Sequence, residues 1–470
     1  MNTSHLSQGQ DLHVFLASYQ AQHPEDVVVI DDEVSADQEV TAIVWELAGQ
    51  GREPLVVCPR VSGLGVPLIT NVFASRHRVA RMMGTDEQGL HETYQARTRV
   101  LHDIAYHDGG PILDTIESDE AVDVSSIPMI THFGSDRAPY ITSGIVLAEH
   151  PVTGVGNLSY HRAMVQSRSE LATSLHSRGH LWRLLKLAEE RGEELPVAMI
   201  VGGHPLLMLA ASARVGADVD ERRVAGGLFG EPLDVVRTPR HGLGVPATAE
   251  LVLEGVLDPT AHADEGPFGE FTGYSSNRST HTLFRVQTIL RRREGVLLDV
   301  VGGNSSEHLN LARIPRESEM AEKLKERFPS VTGIHYPNSG THFHCYVSIR
   351  QLRPGEARQV MLGLLGWDPY LKTVVAVDDD IDISNDAEVL WALATHFQPH
   401  EDLFMVDGLP GSPLDPSSSS VGTTSRMALD ATRGAGFEGQ RVEFAPAALG
   451  RAKKLLERQT FPTGEGPEQR

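Results

Sequence analysis

The stretch that most constrains this chain spans residues 265–274, because it places two carboxylates around a rigid turn. The segment 266–269 between Glu265 and Glu270 holds two glycines and a proline, which exclude a regular helix and interrupt a strand. Residues five apart on a straight strand point to opposite faces, so only a bend can direct both acids into one cavity. Such a pair suits acid–base chemistry, because each charge disfavours ionisation of the other and burial favours the protonated form. The alternative is a solvated acidic loop.

Length and composition limit the class of protein. A chain of 470 residues exceeds what one hydrophobic core serves, so we expect two or three domains. The net charge of −22 disfavours nucleic acid and anionic membrane surfaces as partners, and no basic run offsets it. Cys58 and Cys345 are too few for a disulfide framework, and the polar segment Met1–Gln10 carries no secretory signal. We therefore expect a soluble cytoplasmic protein.

Roughly the first 115 residues have the pattern of an α/β layer. Ser35 and Gln38 fit a capping box that opens a helix, and Gly49 ends it. The apolar run Pro54–Cys58 then predicts a buried strand. From about residue 127 to 301 short strand-like runs alternate with turns, which indicates a mainly β region.

Helical patterns follow within and after this β region. A helix is predicted over Arg178–Glu190, and the apolar run Leu195–Ala213 is interpreted as a buried strand, a turn and the start of a helix. Pro315 is taken to open a third region, with a helix followed by a parallel-type strand at Val374–Val377. A long loop is predicted over Gly408–Ser425, and a basic helix at residues 446–458.

A second polar cluster lies at Asn157–Arg162. In extended backbone Asn157, Ser159 and His161 share one face, and Arg162 points to the other. The planar guanidinium of Arg162 is the natural partner for the two acids of the turn, because it binds a carboxylate through two nitrogens. A surface arginine is the alternative.

Two sets of residues have the chemistry of metal ligands. Asn157, His180 and Glu221 combine oxygen and nitrogen donors without a thiolate, which suits manganese or magnesium better than structural zinc, although their spacing matches no compact motif. The second set would serve a flavin-independent, metal-dependent hydrolase or lyase and is made of His342, His344 and Asp378–Asp382. Its aspartates also fit turns and helix caps.

Taken together, these residues resemble the UbiD family of reversible decarboxylases, which use prenylated flavin mononucleotide (prenylated FMN). The resemblance spans most of the chain and is weakest in the first hundred residues. It rests on the segments Asn157–Arg162, 178–180, 221–236, 245–250, 265–274, 377–382, 389–392 and 424–432.

The resemblance implies a role for each matching position. Arg162, Glu265 and Glu270 would form the family's Glu-Arg-Glu network, with Glu270 as proton donor. Asn157, His180 and Glu221 would bind Mn²⁺ (or Mg²⁺) at the cofactor phosphate, with K⁺ nearby. The positions that would contact the cofactor are Asn157, Ser159, Tyr160, His161, Arg162, Leu175, Arg178, Gly179, His180 and Glu221. Asn310 and Leu311 would border the substrate, where an asparagine suits a polar or heteroaromatic acid.

The resemblance also implies a fold and partners. The fold would be a multidomain α/β (α+β) architecture with an N-terminal α/β domain (1–115), a central split β-barrel that binds prenylated FMN (116–314) and a C-terminal α/β oligomerisation domain with a terminal helix (315–470). The reaction would be reversible, non-oxidative decarboxylation of an aromatic, heteroaromatic or α,β-unsaturated carboxylic acid, with CO₂ released. A flavin prenyltransferase would supply the cofactor, and the protein would be a homodimer or homohexamer. A catalytically silent assembly subunit is the remaining alternative.

Overall fold

The computed structural model describes residues 6–175, 179–277, 279–350, 353–419, 422–434, 436–456 and 458. The chain forms two compact units, one up to Thr432 and one from Arg433 onward. The helices are α1 (Leu12–Gln22), α2 (Glu39–Gly49), α3 (Arg76–Met82), α4 (Leu90–Thr98), α5 (His180–Arg191), α6 (Pro205–Ala211), α7 (Glu221–Phe229), α8 (Ser306–Arg327), α9 (Glu356–Trp367), α10 (Asp386–His396), α11 (Pro399–Asp402) and α12 (Pro446–Leu456). The strands are β1 (Val27–Val29), β2 (Leu55–Cys58), β3 (Leu68–Thr70), β4 (Ala105–His107), β5 (Thr115–Ser118), β6 (Tyr140–Ile141), β7 (Ile145–Glu149), β8 (Gly156–Tyr160), β9 (Ala163–Ser167), β10 (Glu170–Thr173), β11 (Leu195–Val201), β12 (Asp234–Arg237), β13 (Gly244–Pro246), β14 (Leu251–Glu265), β15 (Ser279–Arg291), β16 (Leu297–Leu298), β17 (Val331–His335), β18 (His344–Ile349), β19 (Thr373–Asp378), β20 (Leu403–Pro410) and β21 (Thr423–Ala431).

The α/β fold class is confirmed. Near the N-terminus the predicted buried strand is β2, which pairs in parallel with β1. The predicted helix begins later than expected, at Glu39 rather than after Ser35. Ser35 instead closes a turn, because its hydroxyl accepts from Asp37 N at 3.1 Å and its own N–H donates to the Glu39 carboxylate at 2.7 Å. Gln38 then takes a left-handed φ of 68°, which separates the turn from the helix.

A large, mostly antiparallel sheet occupies the centre of the chain. Its strands follow the order β6-β9-β10-β15-β14-β11-β7-β8, and β5 pairs with β15. Within the described residues this order is open, and the predicted split barrel stays a prediction. Its longest pairing is the β14–β15 hairpin, in which Glu265 lies opposite Ser279. The hairpin places the acidic turn at the end of β14.

Both faces of this sheet are covered, which explains why β11 is apolar along most of its length. Ala198 and Ile200 belong to one hydrophobic core, whereas Val197 and Met199 belong to another on the opposite face. Alternate residues of a strand point to opposite faces, so a strand between two cores needs apolar side chains on both. The predicted strand, turn and helix start over Leu195–Ala213 are confirmed as β11 and α6.

A five-stranded sheet of order β17-β18-β19-β21-β20 follows. The predicted parallel strand is confirmed, since β19 pairs in parallel with both β18 and β21. Two predicted boundaries are wrong. Pro315 does not open a helix but lies inside α8, which Ser305 caps by accepting from His308 N. The predicted loop over Gly408–Ser425 is shorter, because β20 continues to Pro410 and β21 starts at Thr423.

The division into domains at 115 and 314 remains a prediction. The helix predicted over Arg178–Glu190 is confirmed as α5, which buries Leu181, Leu184, Leu185 and Ala188 on one face. In the second unit the predicted basic helix is α12. Among the described helices, none has the length and apolar character needed to cross a bilayer.

Candidate active site

The predicted turn lies where β14 ends. Glu265 is the last residue of β14, and Gly266 takes a left-handed φ of 83° that glycine adopts without strain. The turn then closes at Glu270, whose N–H donates to Tyr274 O at 2.9 Å. The side chain of Asp136 stabilises the turn, because its Oδ1 accepts a hydrogen bond from Gly269 N at 2.9 Å. The chain therefore reverses between the two acids, and both side chains are buried, with exposed fractions of 0% and 6%.

The side chain of Arg162 contacts both acids. Its Nε lies 2.7 Å from Oε1 of Glu265 and its Nη2 lies 3.0 Å from Oε2, which is a two-point pairing. Its Nη1 donates to Oε1 of Glu270. The guanidinium also lies over the ring of Phe268, 4.7 Å from its centroid. All three nitrogens are therefore engaged, and the guanidinium is fixed between two carboxylates.

Glu265 also contacts a histidine, because Nε2 of His281 lies 3.0 Å from its Oε2. Burial by itself would raise the pKa of Glu265, but the hydrogen bonds from His281 and Arg162 and the charge of Arg162 outweigh it and lower that pKa to about 2. Glu265 is therefore an anion at neutral pH.

A cavity of about 510 Å³ lies at the other end of β8. Its lining contains the three predicted metal ligands, Asn157, His180 and Glu221, together with Ser159 and Gly179. His180 is the first residue of α5 and Glu221 is the first residue of α7, so two helix starts meet beside β8. Helix N-termini favour anions, because their first N–H groups have no partner within the helix.

The donor set in this cavity fits a divalent cation. Glu221 Oε2 accepts from Leu158 N at 2.9 Å, and its Oε1 lies 3.9 Å from Nδ1 of His180. Burial, with the charge of Asp220 beside it, raises the pKa of Glu221 to about 7. Burial and the charge of Arg183 lower the pKa of His180, which favours the neutral imidazole that metals bind. A cation would balance the buried carboxylate.

No three His, Cys, Asp or Glu side chains are grouped to hold a metal within the described ranges. The cavity contains two such side chains, His180 and Glu221, and the amide of Asn157 is the third candidate ligand. That amide is held in place, since its Nδ2 donates to Ser159 Oγ at 3.1 Å. A site of this composition would need oxygen atoms from a bound ligand to complete its coordination.

The other residues predicted to contact the cofactor are placed in several ways. His161 shares the face of Asn157 and Ser159, with Nε2 at 2.9 Å from Ser159 Oγ and Nδ1 at 2.9 Å from Ser174 O. The hydroxyl of Tyr160 donates to Met208 O at 3.1 Å. Leu175 packs against one of the hydrophobic cores. Neither Tyr160 nor Leu175 lines the 510 Å³ cavity. Arg178 lies outside the described residues.

Asn310 does not present a free amide to a substrate. Its Nδ2 donates to the carbonyls of Phe73 and Ala74 at 2.9 and 2.6 Å, and its Oδ1 accepts from Arg313 at 2.8 Å. The side chain is 1% exposed. Its hydrogen bonds instead join α8 to the N-terminal part of the fold, so the expectation that this amide selects a polar acid is not supported.

The residues of the metal-dependent alternative lie apart. His344 pairs with Thr373 at one end of β19, whereas Asp378 pairs with Ile349 at the other. Five residues of strand separate these positions by about 16 Å. His342 is 4% exposed and stacks on Phe271 at 4.6 Å.

The aspartates after β19 have structural partners. Asp379 pairs with Arg350, and Asp382 accepts from Ser384 N at 2.9 Å. The geometry therefore does not assemble the hydrolase or lyase site.

Sequence reasoning missed His281 and Asp136. His281 lies on β15 diagonally across from Glu265, two residues beyond the opposite position, Ser279. Diagonal neighbours on one face of a hairpin are within reach of long side chains. Only the register of the β14–β15 hairpin shows this contact. Asp136 carried no sequence signal at all.

Three family profiles match the chain in succession. They are described as the N-terminal domain, the Rift-related domain and the C-terminal domain of 3-octaprenyl-4-hydroxybenzoate carboxy-lyase, and they match residues 20–98, 105–305 and 309–431. The chain therefore belongs to the UbiD family and is a carboxy-lyase, that is, a decarboxylase.

Individual relatives agree with this family. An anhydromevalonate phosphate decarboxylase of Aeropyrum pernix is 32% identical over 88% of this chain and 93% of its own length, and one of Methanothermobacter thermautotrophicus is 31% identical over 87% and 94%. The UbiD-class enzyme HmfF of Pelotomaculum thermopropionicum, solved with FMN, has a TM-score of 0.88 at 31% identity and covers 95% of this chain and 100% of its own. An evolved dimeric form of HmfF, solved with prenylated FMN, has a TM-score of 0.83 at 29% identity over 93% and 99%.

Proposed function

We propose that this decarboxylase uses prenylated FMN to remove CO₂ reversibly from an aromatic, heteroaromatic or α,β-unsaturated acid, with Glu270 as the proton donor. The observation that carries the proposal is the buried contact of Arg162 with Glu265 and Glu270. The prenylated FMN seen in the relative HmfF supports the choice of cofactor. Two relatives are named as decarboxylases of a phosphorylated acid, anhydromevalonate phosphate.

The residues around the 510 Å³ cavity would hold the cofactor. Asn157, His180 and Glu221 would bind Mn²⁺ or Mg²⁺, which would hold the cofactor phosphate, with K⁺ nearby. Ser159 on β8, His161 just after that strand and Gly179 just before α5 would contact the cofactor. When bound, prenylated FMN supplies an electron sink for the carbanion-like charge left by the departing CO₂.

The three charged residues then divide the remaining work. Glu265 stays ionised, since Arg162 and His281 hold it, and it keeps the guanidinium in one orientation. With Glu270 protonated, the group of three is neutral overall, and Nη1 of Arg162 becomes available to the substrate carboxylate. After CO₂ has left, Glu270 donates its proton to the carbon atom from which CO₂ departed.

Apolar groups surround this chemistry. Phe268 and Phe271 flank Glu270 in the sequence and are 4% and 6% exposed. Phe268 packs on Tyr140 with ring centroids 4.6 Å apart, beneath the guanidinium. Exclusion of water by these rings favours release of neutral CO₂ and strengthens the interactions among the three charges.

Glu270→Gln tests the proposal. Protein coexpressed with a flavin prenyltransferase should show flavin-like absorbance in the wild type and in the variant, because Glu270 lies away from the cofactor phosphate cavity. Turnover should fall by about 100-fold or more, since positioned acid–base groups contribute about 10² to 10⁴. Asp264→Asn is the matched control, because Asp264 is an exposed acid one residue before Glu265.

The substrate screen would include cinnamic, hydroxybenzoic, pyrrole, indole and polycyclic heteroaromatic acids. Turnover of Glu270→Gln close to that of the wild type would remove Glu270 from the acid role. Wild-type protein that loads the cofactor but decarboxylates no acid would favour the silent subunit instead.

A further inference from the structure

His281 is a partly exposed imidazole that lies against the buried charges of the candidate active site. Its Nε2 is 3.0 Å from Oε2 of Glu265, and its side chain is 17% exposed, whereas the side chain of Glu265 is fully buried. Both oxygens of Glu265 pair with Arg162, and Nη1 of Arg162 donates to Glu270. This chain of contacts therefore links the proposed proton donor to an imidazole that reaches the solvent.

The β14–β15 hairpin determines which side chains share a face with this imidazole. His281 and Glu265 lie on one face of the hairpin, and His262 and Asp264 alternate onto the opposite face. Strand β10, the other neighbour of β15, contributes the uncharged Thr173 beside this place. The contact between the imidazole and the carboxylate of Glu265 therefore follows from the pairing of the strands.

The other groups near Glu265 hold one protonation state near neutral pH. Burial raises the pKa of Glu265, but the hydrogen bonds that it accepts from His281 and Arg162 lower it to about 2. Arg162 stays charged, as guanidinium groups do in proteins. Tyr140 on β6 faces both, and burial together with the charge of Glu265 raises its pKa, so this phenol is neutral. Their charges are therefore constant over the range in which an imidazole ordinarily titrates.

Two further side chains face Glu270 from other elements. His308 on α8 and Tyr370, just before β19, both feel its charge. Burial lowers the pKa of His308 and raises the pKa of Tyr370, so both side chains are uncharged near neutral pH. The fixed charge beside Glu270 is therefore that of Arg162, which it contacts directly.

The charges of this place balance only when one proton is added. With both acids ionised, the buried set of Arg162, Glu265 and Glu270 carries one excess negative charge, and an unbalanced buried charge is costly. A proton on Glu270 balances it. A proton on His281 balances it as well, because the imidazolium then lies against Glu265. Two sites on either side of the guanidinium therefore compete for one balancing proton.

We propose that His281 is a positioning residue that carries the balancing positive charge while Glu270 is ionised, and so sets the pH range in which Glu270 donates its proton. This inference rests on the proposed function. After Glu270 has protonated the product, His281 takes a proton from the solvent, and it returns that proton when Glu270 is protonated again. These two exchanges cancel, so each turnover consumes only the proton that enters the product. The coupling acts as charge through Glu265 and Arg162 and needs no proton transfer between the two sites.

The dependence of kcat on pH is the main test, because a merely structural role would not move it. His281→Gln keeps a hydrogen-bond donor but cannot become a cation, so Glu270 should keep its proton to higher pH. In cofactor-loaded enzyme, with the best acid of the substrate screen, the alkaline limb of kcat should move up by about 0.5 to 1 pH unit, less than for a charge in direct contact.

A lysine at the same position should have the opposite effect. His281→Lys keeps a cation near Glu265 throughout the assay, so the alkaline limb should move down by about 0.5 to 1 pH unit. His262→Gln is the matched control, because His262 is an exposed histidine on the opposite face of the hairpin. Its pH profile should match that of the wild type.

A titration without turnover separates this inference from the proposed function. In the full chain with ¹⁵N-labelled histidine, NMR follows the imidazole of His281, and the loss of its signal in His281→Gln assigns it. Glu270→Gln removes a negative charge, so the pH midpoint of that signal should fall by about 0.5 to 1 unit. Asp103→Asn, at an exposed acid before β4, is the control and should leave the midpoint unchanged. The shift is expected in substrate-free protein with or without cofactor, so the coupling can stand when the reaction does not.

Three results would overturn the inference. The first is an alkaline limb at the same pH in the wild type and His281→Gln while decarboxylation proceeds. The second is a limb that moves in the same direction in His281→Gln and His281→Lys, which would make His281 a structural residue. The third is an NMR midpoint of His281 that Glu270→Gln does not change. If His281→Lys does not fold, the profile of His281→Gln and the titration decide.

Discussion

Replacement of Glu265 by glutamine tests the electrostatic reasoning most directly. Glutamine has nearly the same shape and keeps one oxygen for Arg162 and His281, but it carries no charge. In the wild type the carboxylate oxygens of Glu265 lie 2.7 and 3.0 Å from Nε and Nη2 of Arg162 and 3.0 Å from Nε2 of His281. None of the surface of Glu265 is exposed. Glu265→Gln therefore removes the charge that balances a buried guanidinium.

The magnitude follows from the pKa. A carboxyl whose pKa is lowered from its ordinary 4.5 to about 2 stabilises the folded state by about 3 kcal/mol at pH 7. Because the folded-state pKa is the lower one, this stabilisation is complete above about pH 4.5 and is lost as the pH falls towards 2. About 1 kcal/mol of it should already be lost at pH 4. Breaking a buried ion pair costs a similar amount, about 3 to 5 kcal/mol.

The assay is urea unfolding of the wild type and Glu265→Gln at pH 7 and pH 4. The variant should be less stable by about 3 kcal/mol at pH 7, and the difference should shrink at pH 4. Glu193→Gln is the control, because Glu193 makes the same two-point pairing with Arg191 on the surface at 2.8 and 3.1 Å. Water screens that pair, so its loss should have a far smaller effect. Equal stabilities of wild type and Glu265→Gln at pH 7, or a difference that grows on acidification, would refute the reasoning.

Two further predictions concern the surroundings of Glu265 and the candidate metal ligands in the cavity beside β8. His281→Asn replaces the imidazole that contacts Glu265 with a shorter side chain, so the free energy of unfolding should fall by about 1 to 2 kcal/mol. The flavin-like absorbance of coexpressed protein should stay at the wild-type level. Loss of that absorbance would mean that His281 takes part in cofactor binding. Glu221→Gln should weaken Mn²⁺ binding by at least about 10-fold in isothermal titration calorimetry, since it removes the charged ligand. The same variant should make metal-free protein more stable at pH 8, because the folded-state pKa of Glu221 is raised to about 7 and its ionisation above that pH opposes folding. Unchanged Mn²⁺ affinity would contradict the assignment.

Local sequence patterns predicted the elements that depend on neighbouring residues. The apolar face of α5, the apolar run that became β11 and the parallel strand β19 each follow from side-chain period and length. Two predicted boundaries failed because residues outside the predicted segment decided where the element begins or ends. Pro315 reads as a helix start, yet α8 continues through it because Ser305 caps the helix three turns earlier. The sequence predicts a long loop over Gly408–Ser425, but β20 extends into that segment by pairing with β21.

The candidate site divides in the same way. The sequence by itself determined that the backbone between Glu265 and Glu270 forms neither a regular helix nor a regular strand, since glycine and proline interrupt both. Only the tertiary structure decided that the two acids differ in their ionic contacts, because the register of the β14–β15 hairpin brings His281 to Glu265. It alone also decided that the amide of Asn310 is used in hydrogen bonds within the fold. The protonation and pairing of a buried side chain depend on every charge that packs around it, and most of those charges lie far away along the chain.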